Sequence, residues 1–416
     1  MTDDVCPEAK ALTEHLEKKL IQFFANELSE NVAFSTANLL ILLAAVLQGA
    51  EPETAKEHVL KPLGIDVEVD AVLRAGAELT KLADVDGFQS ALAAFCRSEP
   101  LPTFSSALKS KFGALLIDVS TAPPARALKL ANDFIESNTE VRNQEGSVEL
   151  NGIKDFIQPD AVEDVQYLLV SCLTTSAKWI EPFEEEQTKP RTFVDATGAK
   201  AKSLMMSATK DEAFFGFDRD RGLASVRLPL RNGASYEFYV GDEDADEEQR
   251  VDAFWALMLE PDFGLDFHQD KCFVMVPKSS VSSTSDPVAV FGAMGVNWAE
   301  LALPNVDGGD LRVRKGGART DSKRDEYGGS TASVAFMNME RSRPASVIVN
   351  APAVFRLTAP ACPDRHMLAA QAMGADVTEI PLNEAGEMLA GRVIEMMRDT
   401  GMPNGLSGVG YGPEDL

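Results

Sequence analysis

Along the first third of the chain, apolar residues recur at intervals of three and four. Leu12, Leu16, Leu20, Phe23, Phe24 and Leu28 fall on one face of a helix predicted over 10–28. An extended piece, Asn31-Val-Ala-Phe-Ser35, leads into a run so apolar that it predicts a buried helix over 38–48. Ser35 or Thr36 would cap that helix and Gly49 would end it. Another helix is predicted over 53–60, closed by Pro62-Leu-Gly64. Residues 67–117 read as helices and turns with weak strand signals, and 127–139 as helix again. Beyond Pro159 the grammar changes. Tyr167 to Leu173, Val226 to Leu230, Tyr236 to Val240 and Cys272 to Val276 read as strands between glycine-containing and acidic turns, with one short helix over 287–294. Helices first and strands later predict an α+β fold on large, mainly antiparallel sheets, with Leu39 and Leu43 buried behind the central one. Residues 399–416 are rich in glycine and proline and read as a loose tail.

Composition narrows the function. The chain has 416 residues, 45% of them hydrophobic, enough for a sizeable core. A net charge of −26 argues against nucleic acid and against an anionic membrane as partner. The longest apolar run, Leu39 to Leu47, is too short to span a bilayer. The acidic run Asp242 to Glu248 lacks the glycine-punctuated spacing of a calcium loop and reads as a solvated turn. The five cysteines, Cys6, Cys96, Cys172, Cys272 and Cys362, are scattered and form no metal-ligand pairs, so they read as reduced thiols. The first residues carry no basic stretch followed by an apolar one. These features predict a cytoplasmic monomer without metal or cofactor; leaderless secretion fits them too. Ser106-Ala-Leu-Lys109 has the Ser-x-x-Lys spacing of a serine acyl-transfer site but no companion motifs. His15, His58, His268 and His366 are dispersed, and the tail's Gly408-Val-Gly410-Tyr-Gly412 lacks a preceding strand and a following helix. No catalytic constellation emerges, which predicts a protein that is not an enzyme.

One stretch is distinctive. From Gly328 to Asn338 there is no charge, two glycines come first, and the residues that follow are small and compatible with a strand. Then come Glu340, Arg341, Ser342, Arg343 and Pro344. A segment able to enter a sheet without burying a charge is thus followed by a basic residue beside a serine, the bond a trypsin-like protease cuts.

The chain resembles the serpins. Asn31-Val-Ala-Phe-Ser-Thr-Ala-Asn38, then Gly49-Ala50, Thr54 and Leu63-Gly64, is similar to that family's opening motif. Ala177-Lys178-Trp179, Pro182-Phe183, Thr188, Phe193 and Met205-Met206 resemble its next conserved strand and turn. Val226 to Pro229, Val276-Pro277-Lys278 and Met294-Gly295-Val296 follow in the family's order, while Pro352 to Leu357 and Met388 to Val393 resemble its last two core strands. The resemblance implies a single domain over 1–393, a reactive loop over 328–350, an extra segment over about 359–383 in which 361–374 could be helical, and an extension over 394–416. It also implies a suicide-substrate inhibitor of a trypsin-like serine protease, whose cut loop inserts into the central sheet. The alternative within the family is a non-inhibitory member: a binding, carrier or chaperone-like protein, or a plain substrate.

The implied site has three parts. The reactive bond falls at Arg341-Ser342, or after Ser342 or Arg343 in another count, with the loop exposed in the uncut chain. The hinge comprises Glu326, Gly328, Gly329, Ser330, Thr331, Ala332 and Ser333. Either Thr331, Ser333 and Ala335 or Ala332, Val334 and Phe336 face inward, depending on the frame. The region where the sheet opens comprises Ser35, Asn38, Ser171 and Ala318. Here Ser171 stands where the family has asparagine, Ala318 where it has histidine, and Asn38 where it has serine. The strand before the loop, Arg319 to Glu326, lacks alternating hydrophobics and would be weakly anchored.

Overall fold

In the computed structural model, Ser35 is extended and its hydroxyl accepts the Asn38 amide, capping helix α2 (Thr36–Leu47). The structure describes residues 6–25, 32–142, 147–163, 165–194, 200–218, 222–241, 267–341, 346–378 and 380–399. Leu39 keeps 5% of its surface and Leu43 none, so the apolar run is core, as its composition predicts. Helix α1 (Pro7–Ala25) precedes it. Helices α3 (Val69–Thr80), α4 (Pro102–Phe112) and α5 (Pro124–Thr139) follow, with a strand between each and the next.

Thirteen strands make the sheets of the described residues: β1 (Phe88–Cys96), β2 (Leu115–Asp118), β3 (Val141–Arg142), β4 (Val148–Leu150), β5 (Val165–Lys178), β6 (Lys189–Val194), β7 (Lys200–Asp218), β8 (Leu223–Pro229), β9 (Ser235–Gly241), β10 (His268–Pro277), β11 (Ser279–Ser285), β12 (Leu311–Arg324) and β13 (Gly328–Arg341). Helix α6 (Pro287–Ala293) lies between β11 and β12. The central sheet has six strands in the order β11-β12-β13-β5-β1-β2, antiparallel except for β1 beside β2. A second sheet runs β10-β7-β8-β9, with β6 also on β7. β1 is a nine-residue strand where the local signal was weak. Its alanine-rich middle has little β preference of its own, and pairing on both sides decides. On one face of the central sheet, α1 to α4 pack over Leu169, Leu173, Ala335, Met337 and Met339. On the other, Ala131 and Ile135 of α5 pack with Val170, Cys172, Val334 and Phe336.

Two expectations change here. The stretch predicted to be an exposed loop is β13, the third strand of the six-stranded sheet in an unbroken chain. It pairs with β12 from Gly329 to Arg341 and with β5 from Gly328 to Glu340. Its residues from Ala332 to Met339 are all buried. A strand free of charge from Gly328 to Met339 satisfies the backbone groups of β5 and β12 and covers both apolar faces, so the sheet is its low-energy place. The segments read as the family's last two strands are helices. Pro352 to Leu357 lies within α7 (Ser346–Thr358), and Met388 to Val393 within α9 (Ala385–Asp399). In α9 the buried residues Ala385, Leu389, Val393 and Met397 recur every four positions, a helical stripe that no strand could bury on one face.

The helix anticipated over 361–374 is present as α8 (Pro363–Ala372), beyond which Gly374 takes a left-handed φ of 88°. Compactness divides the chain into two units, Met1–Arg341 and Ser342–Leu416, where the sequence reading carried one domain to residue 393. The second unit has its own small core of Ala370, Leu389, Val393 and Met397. Ser342, Arg343, the acidic run 242–248 and the tail beyond 399 lie outside the described residues.

Candidate functional site

The site is the seat of β13, and it has three parts. Under its middle, Asn38 stands fully buried on α2 and uses both ends of its amide. Its Oδ1 accepts from the Ser171 hydroxyl at 2.6 Å, and its Nδ2 donates to the Ser171 carbonyl at 3.2 Å and to Ser333 Oγ at 3.1 Å. Thr320 Oγ1 on β12 also donates to Ser333 Oγ, at 3.2 Å. One helix and three strands are thus joined through four buried polar side chains, each with a partner, which makes their burial tolerable. Ser35, Asn38 and Ser171 lie together, Ser35 through the Asn38 amide and Ser171 through the Asn38 side chain. Ala318 does not join the polar cluster; it packs in the core two residues from Thr320 on the same strand face, and Thr320 supplies the hydroxyl. Thr320 escaped sequence reading because a lone threonine in a charged strand carries no signal. The stretch Arg319 to Glu326, which lacks alternating hydrophobics, is nonetheless held: its residues to Arg324 belong to β12 and pair on both sides, with an Arg319–Asp321 ion pair at 3.0 Å.

At the start of β13 lies the hinge. Glu326 is nearly buried, its carboxylate 2.7 Å from Lys278 Nζ, and its carbonyl accepts the Phe183 amide at 2.9 Å. Burial is the largest single influence and raises the Glu326 carboxyl, but the hydrogen bond and charge of Lys278, together with the other hydrogen bonds the carboxylate accepts, outweigh it and hold the group below its ordinary value. Gly328 and Gly329 are required by close approach. A Cβ on Gly328 would lie 2.1 Å from the Ala177 carbonyl oxygen, and one on Gly329 2.4 Å from the Tyr236 ring. The Ser330 hydroxyl donates to Glu149, which also accepts from Ser176 at 2.7 Å. Thr331 Oγ1 donates to Ser322 at 3.3 Å. The open frame resolves: Ser333 and Ala335 face α2, while Val334 and Phe336 face α5, where Phe336 meets the Phe156 ring edge-on at 5.8 Å. Beside the hinge opens a cleft of about 420 Å³ lined by Asp86, Phe88, Arg142, Glu149, Lys178 and Arg231 among others.

The far end of β13 is fastened by Asn338 and Arg341. Asn338 is fully buried; its Oδ1 accepts the Lys315 amide at 2.8 Å and its Nδ2 donates to the Ala161 carbonyl at 3.2 Å. Arg341 donates at 2.9 Å to the carboxylate of Asp307, a side chain only 3% exposed. Ser98 donates to Tyr167 at 2.7 Å, and the Gly309 amide donates to the other Asp307 oxygen at 2.9 Å. Burial pushes the Tyr167 phenol up to about 12, so it stays a neutral partner. Arg341, the residue predicted as bait, is here the counter-ion of a buried acid. Asp307 was not anticipated, although the turn Pro304-Asn-Val-Asp-Gly-Gly309 marked a place where a carboxylate meets backbone amides.

The family model for serpin (serine protease inhibitor) matches residues 12–358, and the chain belongs to the serpin family. Among solved structures, cleaved kallistatin complexed with heparin has a TM-score of 0.65 at 18% identity, covering 79% of this chain and 97% of that one. Thyroxine-binding globulin complexed with thyroxine-fluorescein has a TM-score of 0.64 at 19% identity, covering 80% and 99%. These likenesses show the fold. A separate similarity is local: a probable mitochondrial hydroxyacid-oxoacid transhydrogenase of Dictyostelium discoideum is 44% identical over 71 residues, 17% of this chain and 13% of that protein. The chain spans about a seventh of the length of the curated relatives it matches.

Proposed function

We propose that this chain is a non-inhibitory serpin, resting with its loop inserted and acting as a binding scaffold. One observation carries the reading: in an unbroken chain β13 completes the six-stranded sheet, and its terminal Arg341 is committed to buried Asp307. A protease trap works by releasing insertion energy after the cut, and a strand already in place has none left to release. Among the described residues no strand follows Arg341, so none holds the far end of β13 out in a neighbouring sheet. Thyroxine-binding globulin, solved with thyroxine-fluorescein, is a precedent for ligand binding on such a fold. The cleft beside Glu149 is the place where this chain would hold a small ligand. The transhydrogenase similarity, 71 residues long, fits the second unit by length; at 13–16% of those relatives it would bring a structural module and not their activity.

A second reading keeps inhibition. A β13 free of charge from Gly328 to Met339 favours it, as does the likeness to cleaved kallistatin. In that reading the described state is the end of the reaction, reached after a trypsin-like protease attacks Arg341-Ser342 or the neighbouring bond at Arg343. Incubation with trypsin, followed on a denaturing gel and by thermal unfolding, separates the two. The scaffold reading expects fragments, no covalent complex and an unfolding temperature unchanged by the cut. A denaturation-resistant complex, with a fragment starting at Ser342 and a raised unfolding temperature, establishes the inhibitor instead.

A further inference from the structure

The cleft of about 420 Å³ beside the hinge is lined by polar groups that the fold itself does not use. On β5, Thr174 and Ser176 lie on the same face of the sheet, as alternate residues of a strand must, and Gln89 of β1 pairs directly beside Thr174. Thr174 keeps only 2% of its surface, yet it lines the cleft, and its hydroxyl makes no hydrogen bond among the described residues. A hydroxyl so placed costs free energy until a partner reaches it. Glu149 of β4 spends one oxygen, Oε2, on the hydroxyls of Ser176 and Ser330; its Oε1 has no partner among the described residues. Arg231, in the turn between β8 and β9, is held by its amide on the Lys178 carbonyl at 2.9 Å and by Nε on the Trp179 carbonyl at 3.3 Å. Its two terminal nitrogens make no ion pair among the described residues, whereas Arg142 and Lys178, the other cations of the lining, have partners of their own. Asp86 is a further carboxylate of the lining, exposed and screened by solvent.

These groups are set out along β5. Thr174, Ser176 and Lys178 follow one another at two-residue steps of about 7 Å, and they mark in turn a hydroxyl, the Glu149 carboxylate and the Arg231 guanidinium. A ligand with one charge would leave either Glu149 or Arg231 uncompensated. The ammonium and carboxylate of one α-amino acid span the step between them once a charge-assisted hydrogen bond of about 2.8 Å is added at each end. The cleft continues past Glu149 to Thr174 and Gln89, a hydroxyl and an amide able to pair with a polar side chain. Its volume lies in the range of about 300–1,000 Å³ usual for small-molecule sites.

We propose that the cleft binds a free α-amino acid with a polar side chain: its carboxylate on Arg231, its ammonium on Glu149 Oε1, and its side-chain polar group on Thr174 and Gln89. The proposal rests on the scaffold reading, because Ser330 helps to orient Glu149 only while β13 is in the sheet.

The test is isothermal titration of the intact full chain with L-glutamine, beside L-alanine, which keeps both charged ends and lacks the side-chain amide. L-Glutamine should bind several-fold tighter than L-alanine, and 4-carbamoylbutanoate, glutamine without its ammonium, should not bind. Arg231→Gln should weaken both amino acids about ten- to hundred-fold, the usual worth of a hydrogen bond to a charged group. Glu149→Gln, which keeps an oxygen for the two serines, should do the same. Thr174→Val should abolish the preference for L-glutamine and leave L-alanine unaffected, which a merely structural threonine would not do. A parallel incubation with trypsin separates the two readings. No saturable binding of L-glutamine, with fragments and no covalent trypsin complex, overturns the amino-acid assignment and leaves the scaffold reading in place. A covalent complex overturns the scaffold reading and the assignment that rests on it. Binding indifferent to both the Arg231 and the Glu149 variants, or equal binding of 4-carbamoylbutanoate, overturns the assignment alone.

Discussion

Removing the Asn38 amide tests whether β13 is in the sheet of the intact protein. Asn38→Ala deletes three hydrogen bonds and leaves the Ser171 hydroxyl and carbonyl without that partner in a buried place, while Ser333 keeps Thr320. At about 1 kcal/mol net per bond, with an added penalty for the stranded groups, the expected loss is about 3 kcal/mol. For a unit running to Arg341 the unfolding entropy is about 0.7 kcal/mol/K, so the midpoint should fall by about 4 °C. Destabilisation alone would be ambiguous, because Asn38 also bonds Ser171. The informative quantity is its coupling to Ser333. Ser333→Ala and the double variant complete a cycle, read by guanidinium unfolding of the full chain. A direct 3.1 Å bond predicts a coupling of about 1 kcal/mol, within the 0.5–3 kcal/mol usual for residues in contact. Additivity to within about 0.3 kcal/mol, the behaviour of distant sites, would refute an inserted β13.

Further predictions follow from the same seat. Gly329→Ala should destabilise by about 1–3 kcal/mol, because its Cβ would meet the Tyr236 ring at 2.4 Å. In a free loop the same change would be neutral or stabilising by about 0.4–1 kcal/mol, so the sign of the unfolding shift decides. Glu326 has a depressed folded-state pKa, so its pairing with Lys278 contributes stability above the unfolded carboxylate value of about 4.3 and loses it as pH falls through the folded one. The advantage of wild type over Glu326→Gln should therefore be constant from pH 5 to 8 and shrink on further acidification; growth toward low pH contradicts the assignment. Asp307→Asn should weaken the grip on Arg341 and speed trypsin cleavage after it several-fold, measured by fragment appearance. An unchanged rate would show that the ion pair does not shield that bond.

Much of the first unit was legible because its signals are local and agree with one another. The apolar run from Leu39 to Leu47 could only be core, and the choice of cap was narrowed to Ser35 or Thr36, of which Ser35 caps. Even the match at Val276-Pro277-Lys278 carried a contact, since Lys278 holds Glu326. What could not be read was the state of β13. Small, uncharged residues suit an exposed loop and a central strand alike, and the choice rests on pairing with β5, a segment far away in the chain, as well as with the neighbouring β12. The reading past Pro352 went astray for another reason. Short family motifs at Pro352 and Met388 outweighed the four-residue stripe Ala385, Leu389, Val393, Met397, which already called for a helix.

Hydrogen exchange on the intact, uncut chain tests the central claim most directly. If β13 is a resident strand, the amides of 329–339 are bonded to β5 and β12 and should exchange only by opening of the sheet, as slowly as those of 168–174 in β5. The account predicts protection over both segments for hours, with no change after trypsin cuts at Arg341. Exchange of 329–339 within seconds in the intact chain, followed by protection only after the cut, would contradict it and return the protein to the protease traps.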